Sequence, residues 1–420
     1  MFSSWHSRPH SIRKRMISHI YSKSTLQSSA ALASQARTIL FSRLLPIITA
    51  SIKPSQIPHG IDVHDLWNAA TMDFITAYIF GLPHSTNFLQ NVGYRQHWLE
   101  LYQSRKKYTF FPQELPRLTK IAHAIGVRLV PRWVDYANQE IEAFCASMCK
   151  AATASIKSKP GSSADPADEA VVLNALLAGH EKERRQKGSN SILNDTVLRE
   201  PELSVYSEML DQLAAGHETA GITMTYLTWH LSQDIELQNA LRAELLTLDN
   251  PLNYPPSFTS AAAEQSFKEG HGDWVNDIQM PSPKQLDSLP ILHAVMMETL
   301  RIKAAIPGSQ PRMTPYPSCT IGKYEIPGGV RVGAAAYSLH RNVSVYPSPS
   351  IWDHKRWLDS PGQNNEARRE RDRWFWAFSS GGRMCIGSNF AMQGKLSSRR
   401  LEIASDMHYR DEAYHSGYIY

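Results

Sequence analysis

The sequence predicts a mainly α-helical fold with one small β element late in the chain, and three observations carry that prediction. Apolar residues recur at three- and four-residue spacings over long stretches such as Ile61–Leu82 and Leu203–Leu231. Strand-type alternation is confined to Cys319–Val332. Behind it comes FSSGGRMCIG, at 378–387, which sets a cysteine among three glycines and follows neither pattern.

Composition agrees with a folded protein enclosing a large core. The chain has 420 residues, 42% hydrophobic and 20% charged, with ten tryptophans and 25 prolines. That length suits two or three average domains or one large one. The net charge of +5 comes from scattered Lys and Arg with no basic stripe, which argues against a nucleic-acid partner. No apolar stretch is long enough to cross a bilayer, and runs such as RLLPIITA are broken by proline. The four cysteines are too few and too unevenly spaced for a disulfide framework, so a reducing, intracellular compartment is expected.

The elements follow in order. The opening MFSSWHSRPHSIRKRMISHIYSKS is rich in Ser and Arg and poor in acid, like a mitochondrial transit peptide, without the apolar core of a secretory signal. Ile61–Leu82 is a helix that stops at Gly81. Cys145 and Cys149 share a helix face, where packing outweighs a shared metal because no histidine or second cysteine pair lies near. Lys157–Asp168 and Asn250–Lys284 are polar Pro/Gly/Ser loops. A helix is expected over about 286–302, and a hairpin around Gly322 and Pro327-Gly328-Gly329.

Three motifs carry chemistry. Glu298 and Arg301 lie three apart among Val295, Met296, Met297 and Leu300. On a surface such a pair contributes little, whereas in apolar surroundings it needs further partners, and Arg356 is a candidate. Ala215-Gly216-His217-Glu218-Thr219 interrupts a long apolar helix with a helix-weakening glycine and a threonine able to bond a preceding carbonyl. A bend there makes a groove in which Glu218 and Thr219 relay protons; the alternative is a polar patch on a kinked helix. At Cys385, the nearby Arg383, the N–H groups of a Gly-rich turn and the start of a helix SNFAMQ all favour thiolate, the form that binds metal. Glycines let such a backbone approach a flat cofactor closely.

Together these residues resemble the cytochrome P450 superfamily of haem-thiolate monooxygenases. The resemblance rests on Phe378, Gly381, Arg383, Cys385 and Gly387, on Glu298 and Arg301 with Arg356, and on Ala215, Gly216, Glu218 and Thr219, in the family's order. TYLTWHLSQDIELQNALRAEL, YSLHRNVSVYP and HSIRKRMISHIYSKS look like fungal members of the microsomal type. The resemblance implies a cytochrome P450 fold with haem b on Cys385 as axial thiolate. It implies Phe378 beside the sulfur, and Arg383, Arg312, His10 and Lys14 on the propionates, so the basic start is a haem-contacting helix. Glu218 and Thr219 are then the proton-delivering residues, on an oxygen-activation helix of about 203–231. Implied partners are O2, a lipophilic small-molecule substrate and a separate reductase passing electrons from NADPH, since no flavin or dinucleotide motif occurs in the chain. The family usually resides at the endoplasmic-reticulum membrane, and fungal secondary metabolism is the expected setting.

Departures shape the expectation. The chain starts where the family's haem-contacting helix starts, and after FAMQ the tail 394–420 lacks an apolar stripe. A single partial P450 domain over 1–420, incomplete at both ends and without its membrane anchor, is therefore expected. Lys14 stands where arginine is usual, and His354-Lys355 where Pro-Glu is usual. Two functions remain: an active monooxygenase, or a truncated non-catalytic protein that binds haem poorly.

Overall fold

Local sequence signals set several helix ends. In the computed structural model, which describes residues 6–51, 60–158, 165–251, 254–270, 273–359 and 365–393, the helix Val63–Phe80 ends at Gly81 with φ +79°. A Cβ at Gly81 would stand 2.2 Å from the Asp168 carbonyl oxygen, so both backbone conformation and close approach require glycine. Asp234 caps Ile235–Leu245 by accepting from the Leu237 N–H at 2.9 Å. The long helix Pro201–Ser232 runs unbroken through Gly216 and Thr219, so the expected bend does not interrupt its hydrogen-bond ladder. The expected helix over 286–302 is two, Pro283–Asp287 and Pro290–Ile302. Pro290 has no N–H to bond back and fits only a first turn, which restarts the helix there. The tail 394–420 lies outside the described residues.

The chain divides into two compact units. The first takes Met1–Ile47, Asn68–Glu218 and Phe258–Ile278. Here Ser7–Ile17 packs on Val171–Lys187, with Gly179 so close to Met16 that a Cβ would lie 2.6 Å from Met16 Cβ. Buried Asp73 accepts from the Thr86 hydroxyl at 2.7 Å, the Phe88 N–H at 2.7 Å and Arg43 at 3.4 Å, fastening the segment after Gly81. Burial raises its carboxyl pKa despite those bonds. Phe88, Trp98 and Phe144 form an aromatic cluster with ring centroids 5.8 to 6.3 Å apart, each pair adding about 0.5–1.5 kcal/mol beyond area burial. Cys145 and Cys149 are buried on Arg132–Ser158, and Cys145 Sγ lies 3.8 Å from the Tyr206 carbonyl oxygen.

The expected loop Asn250–Lys284 contains structure. Ala261–Glu269 is a helix capped by Ser260, and Phe267 packs edge-on against Trp274 at 4.9 Å, with Phe258 beside them. Three aromatics spaced too widely for a local pattern made this segment look like a loop.

The second unit takes Ile48–Trp67, Thr219–Ser257 and Gln279–Tyr420. It carries two antiparallel strand pairs: β1, Ser309–Met313, with β4, Arg331–Ala335, and β2, Ser318–Ile321, with β3, Tyr324–Pro327. The β2–β3 hairpin turns at Gly322, whose φ of +61° suits the first centre of a tight turn. β1 lies outside the stretch where strands were expected, because SQPRM has no alternation and becomes a strand only by pairing with β4. Thr314 joins the pairs, donating to the Pro327 carbonyl at 2.6 Å and accepting from the Val330 N–H at 2.9 Å. Glu244 accepts from the Ile291 and Leu292 N–H groups at 2.7 and 2.9 Å, satisfying the first turn of Pro290–Ile302.

Candidate active site

The cysteine loop begins where Trp374–Phe378 leaves the helix Asn365–Trp374. Ser379 and Gly381 both have positive φ, +59° and +68°, which folds the chain back on itself. The Cys385 N–H donates to the Phe378 carbonyl at 2.9 Å and the Met384 N–H to the Gly381 carbonyl at 3.0 Å, closing the turn. Cys385 is exposed. A Cβ on Gly381, Gly382 or Gly387 would meet nothing within 4 Å, so the loop is open on those sides. Gly387 precedes the short helix Ser388–Gln393.

Arg312, on β1, reaches the Ser379 hydroxyl at 3.4 Å. Burial lowers the Arg383 guanidinium below its usual value, and the positive charge of Arg312 adds to the shift. Two guanidiniums that repel each other, one of them two residues from an exposed thiol in sequence, suit a group bearing anionic arms. The Trp376 indole N–H is buried without a hydrogen-bond partner. Open glycine faces, an exposed sulfur donor, paired cations and a stranded buried donor all fit haem on this loop.

Glu298 is the centre of a buried ionic cluster. Its side chain and that of Arg301 are both 0% exposed, and they pair bidentately at 2.7 and 2.8 Å. Arg356 adds a bond at 3.2 Å, the Asp353 N–H one at 2.9 Å and the Trp357 indole N–H one at 2.9 Å. Arg301 also donates to the carbonyls of His340, Pro349 and Ile351 at 2.9, 2.8 and 3.1 Å. The cluster therefore ties three segments to one helix face, and its charges have the extra partners that burial demands. His354 and Lys355, at the expected departure, form a short 3-10 turn with Arg356.

His340 adjoins this cluster and was missed in the sequence. It is 0% exposed and stacks on Phe375 at 5.4 Å. Its Nδ1–H donates to the Arg301 carbonyl at 2.7 Å, and its Nε2 accepts from the Trp376 N–H at 2.7 Å. Burial is the main cause that brings its pKa down to about 4, so the ring is neutral.

His10, Lys14 and Glu218 belong to the first unit, and Thr219 begins the second. His10 is buried on Ser7–Ile17, and Lys14 is half-buried one turn on. Glu218 forms an ion pair with Lys106. The Lys106 ammonium sits 4.9 Å from the Tyr102 ring centroid, and burial, aided by Arg105, lowers its pKa to about 8. His217, packed edge-on between Trp98 and Tyr102 at 5.3 and 5.0 Å, is held neutral by burial, with a pKa near 4. Gly216 permits close helix packing, because a Cβ there would stand 2.4 Å from Ile75 Cγ1. Threonine back-bonding of the kind expected in this helix occurs at Thr223, whose hydroxyl donates to the Thr219 carbonyl at 2.9 Å, and at Thr225, which bonds the Gly221 carbonyl likewise at 2.8 Å. Lys106 was missed because only the fold brings it to Glu218.

Among the described residues no helix is long and apolar enough to cross a membrane. The family model for Cytochrome P450 matches residues 268–394, which hold the Glu298 cluster and the cysteine loop. A cytochrome P450 monooxygenase of Aspergillus versicolor, avaI, is 26% identical over 408 residues, covering 94% of this chain and 81% of that protein. One from Eupenicillium brefeldianum, orf4, is 25% identical over 397 residues, 93% of this chain and 67% of its own. A third, stcB of Emericella nidulans, is 30% identical over 199 residues, 47% of this chain and 31% of its own. With a mainly helical fold and a small β element carrying these motifs, the chain is similar along most of its length to fungal cytochrome P450 monooxygenases, and its residues 268–394 match the Cytochrome P450 family.

Proposed function

We propose that this chain inserts one atom of O2 into a lipophilic small molecule of fungal secondary metabolism and reduces the other to water. The observation that carries this reading is the exposed Cys385 thiol, held by the Phe378–Cys385 backbone bond with Arg312 and Arg383 at hand. Haem b would be held through Cys385 Sγ as a thiolate, and Arg312, Arg383, His10 and Lys14 would neutralise its propionates. When bound, it supplies the activation of O2. Phe378 shields the sulfur, and Gly381 and Gly387 leave the backbone free to lie close to the cofactor face. Glu218 and Thr219 hold and pass protons, Lys106 orienting the Glu218 carboxylate. Glu298, Arg301 and Arg356 keep the loop's support rigid. Electrons come from NADPH through a separate reductase.

The test is a carbon-monoxide difference spectrum of the reduced protein beside Cys385→Ser. A thiolate-type Soret band that the substitution abolishes supports the reading. No haem, or a band indifferent to the substitution, overturns it and leaves the non-catalytic alternative.

A further inference from the structure

The Cys385 loop is joined to the buried Glu298–Arg301 pair by a continuous run of hydrogen bonds through a residue that belongs to neither. Arg301, fixed by two bonds to Glu298, presents its carbonyl to His340 Nδ1–H at 2.7 Å. His340 Nε2 accepts from the Trp376 N–H at 2.7 Å. The Trp376 carbonyl accepts from the Ser379 N–H at 3.0 Å, and the Phe378 carbonyl from the Cys385 N–H at 2.9 Å. Arg301 Nη1 donates back to the His340 carbonyl at 2.9 Å, so backbone and ring of His340 are both held.

We infer that His340 is a positioning residue: its neutral, Nδ1-protonated ring transmits the placement of the Glu298–Arg301 pair to the backbone of the cysteine loop. The inference rests on the reading of Cys385 as the haem ligand. A neutral imidazole is suited to the task because it has one donor and one acceptor on opposite sides of a rigid ring. Both ends meet backbone groups, which cannot retreat by changing rotamer. Stacking on Phe375, next in sequence to Trp376, fixes the ring plane. Burial also means that no water can replace either bond, so losing the ring's polarity leaves the Arg301 carbonyl and the Trp376 N–H without partners. An apolar packing residue of similar size would keep the stack and lose the transmission.

The experiment compares the full chain with His340→Phe and His340→Gln by amide hydrogen exchange over 375–386, with the β1–β4 pair as internal reference, and by the carbon-monoxide band. The phenyl ring retains the stack, whereas the glutamine amide restores a donor and an acceptor. His340→Phe is expected to speed exchange over 375–386 by about tenfold or more while the β1–β4 amides keep wild-type protection. It should also shift part of the thiolate-type band to the non-thiolate form, and His340→Gln should recover much of both. If His340→Phe does not fold and His340→Gln does, the polar bonds are shown to matter. Wild-type exchange in His340→Phe overturns the inference, as does equal loosening of the loop and the β1–β4 pair, or failure of both variants to fold. A wild-type protein without a thiolate band defeats the Cys385 reading alone, since the exchange comparison still tests the coupling.

Discussion

Glu298→Gln removes one charge from the buried cluster while keeping the side chain's size, which makes its cost calculable. Glu298 Oε1 accepts from Arg301 Nη2, the Asp353 N–H and Arg356 Nε, and Oε2 accepts from Arg301 Nε and the Trp357 indole. Every neighbour is a donor, so whichever way the amide turns, its NH2 faces at least two of them. Turned to the Oε2 side it strands Arg301 Nε and Trp357 Nε1; turned the other way it strands three. Arg301, 0% exposed, also loses its full counter-charge. Breaking one side of a buried pair costs about 3–5 kcal/mol, and each stranded buried donor about 1–3 kcal/mol. These losses overlap, so the expected total is about 3–5 kcal/mol, a large share of an ordinary domain's stability of roughly 5–15 kcal/mol. Arg356→Met should cost less, about 1–2 kcal/mol, because Arg356 is partly exposed and contributes one 3.2 Å bond to Glu298. Urea unfolding followed by tryptophan fluorescence reads both, with Trp357 and Trp352 reporting from the cluster. A Glu298→Gln protein within about 1 kcal/mol of wild type, or less affected than Arg356→Met, would refute the assignment of Glu298 as the cluster's centre.

Two more perturbations test the fold around the site. Gly216→Ala should destabilise by about 1–3 kcal/mol although alanine favours helix, since its Cβ would overlap Ile75, and Ile75→Ala should relieve much of the loss; thermal unfolding of the single and double variants decides it. His180, His217 and His340 are buried with pKa values near 4, below the ordinary 6.5, so they are neutral in the folded chain while the unfolded chain takes up protons first. Their contribution is complete above about pH 6.5 and drains away down to about pH 4, amounting to about 2 kcal/mol for each by pH 5. Asp73, its pKa raised by burial, opposes the trend by losing its penalty as it protonates. A urea midpoint that stays level from pH 7 to pH 5 would contradict this balance.

The residues that announce this family are those whose chemistry is written within a turn or a short loop. Glu298 and Arg301 can pair because three residues bring side chains onto one helix face. Gly381, Gly387 and Cys385 share one loop, and Gly81 stops its helix through its own φ. Local geometry of that kind survives in a linear sequence. The tertiary structure decided what those groups meet. Only folding delivers the Asp353 N–H and Trp357 to Glu298, sets His340 between Arg301 and Trp376, and brings Lys106 to Glu218. Gly216 read as a point of weakness until Ile75 was found against it, and SQPRM became a strand because β4 lay alongside. A buried charge or ring must have its partners satisfied, but the sequence states only the demand; which distant backbone group meets it depends on where the chain returns.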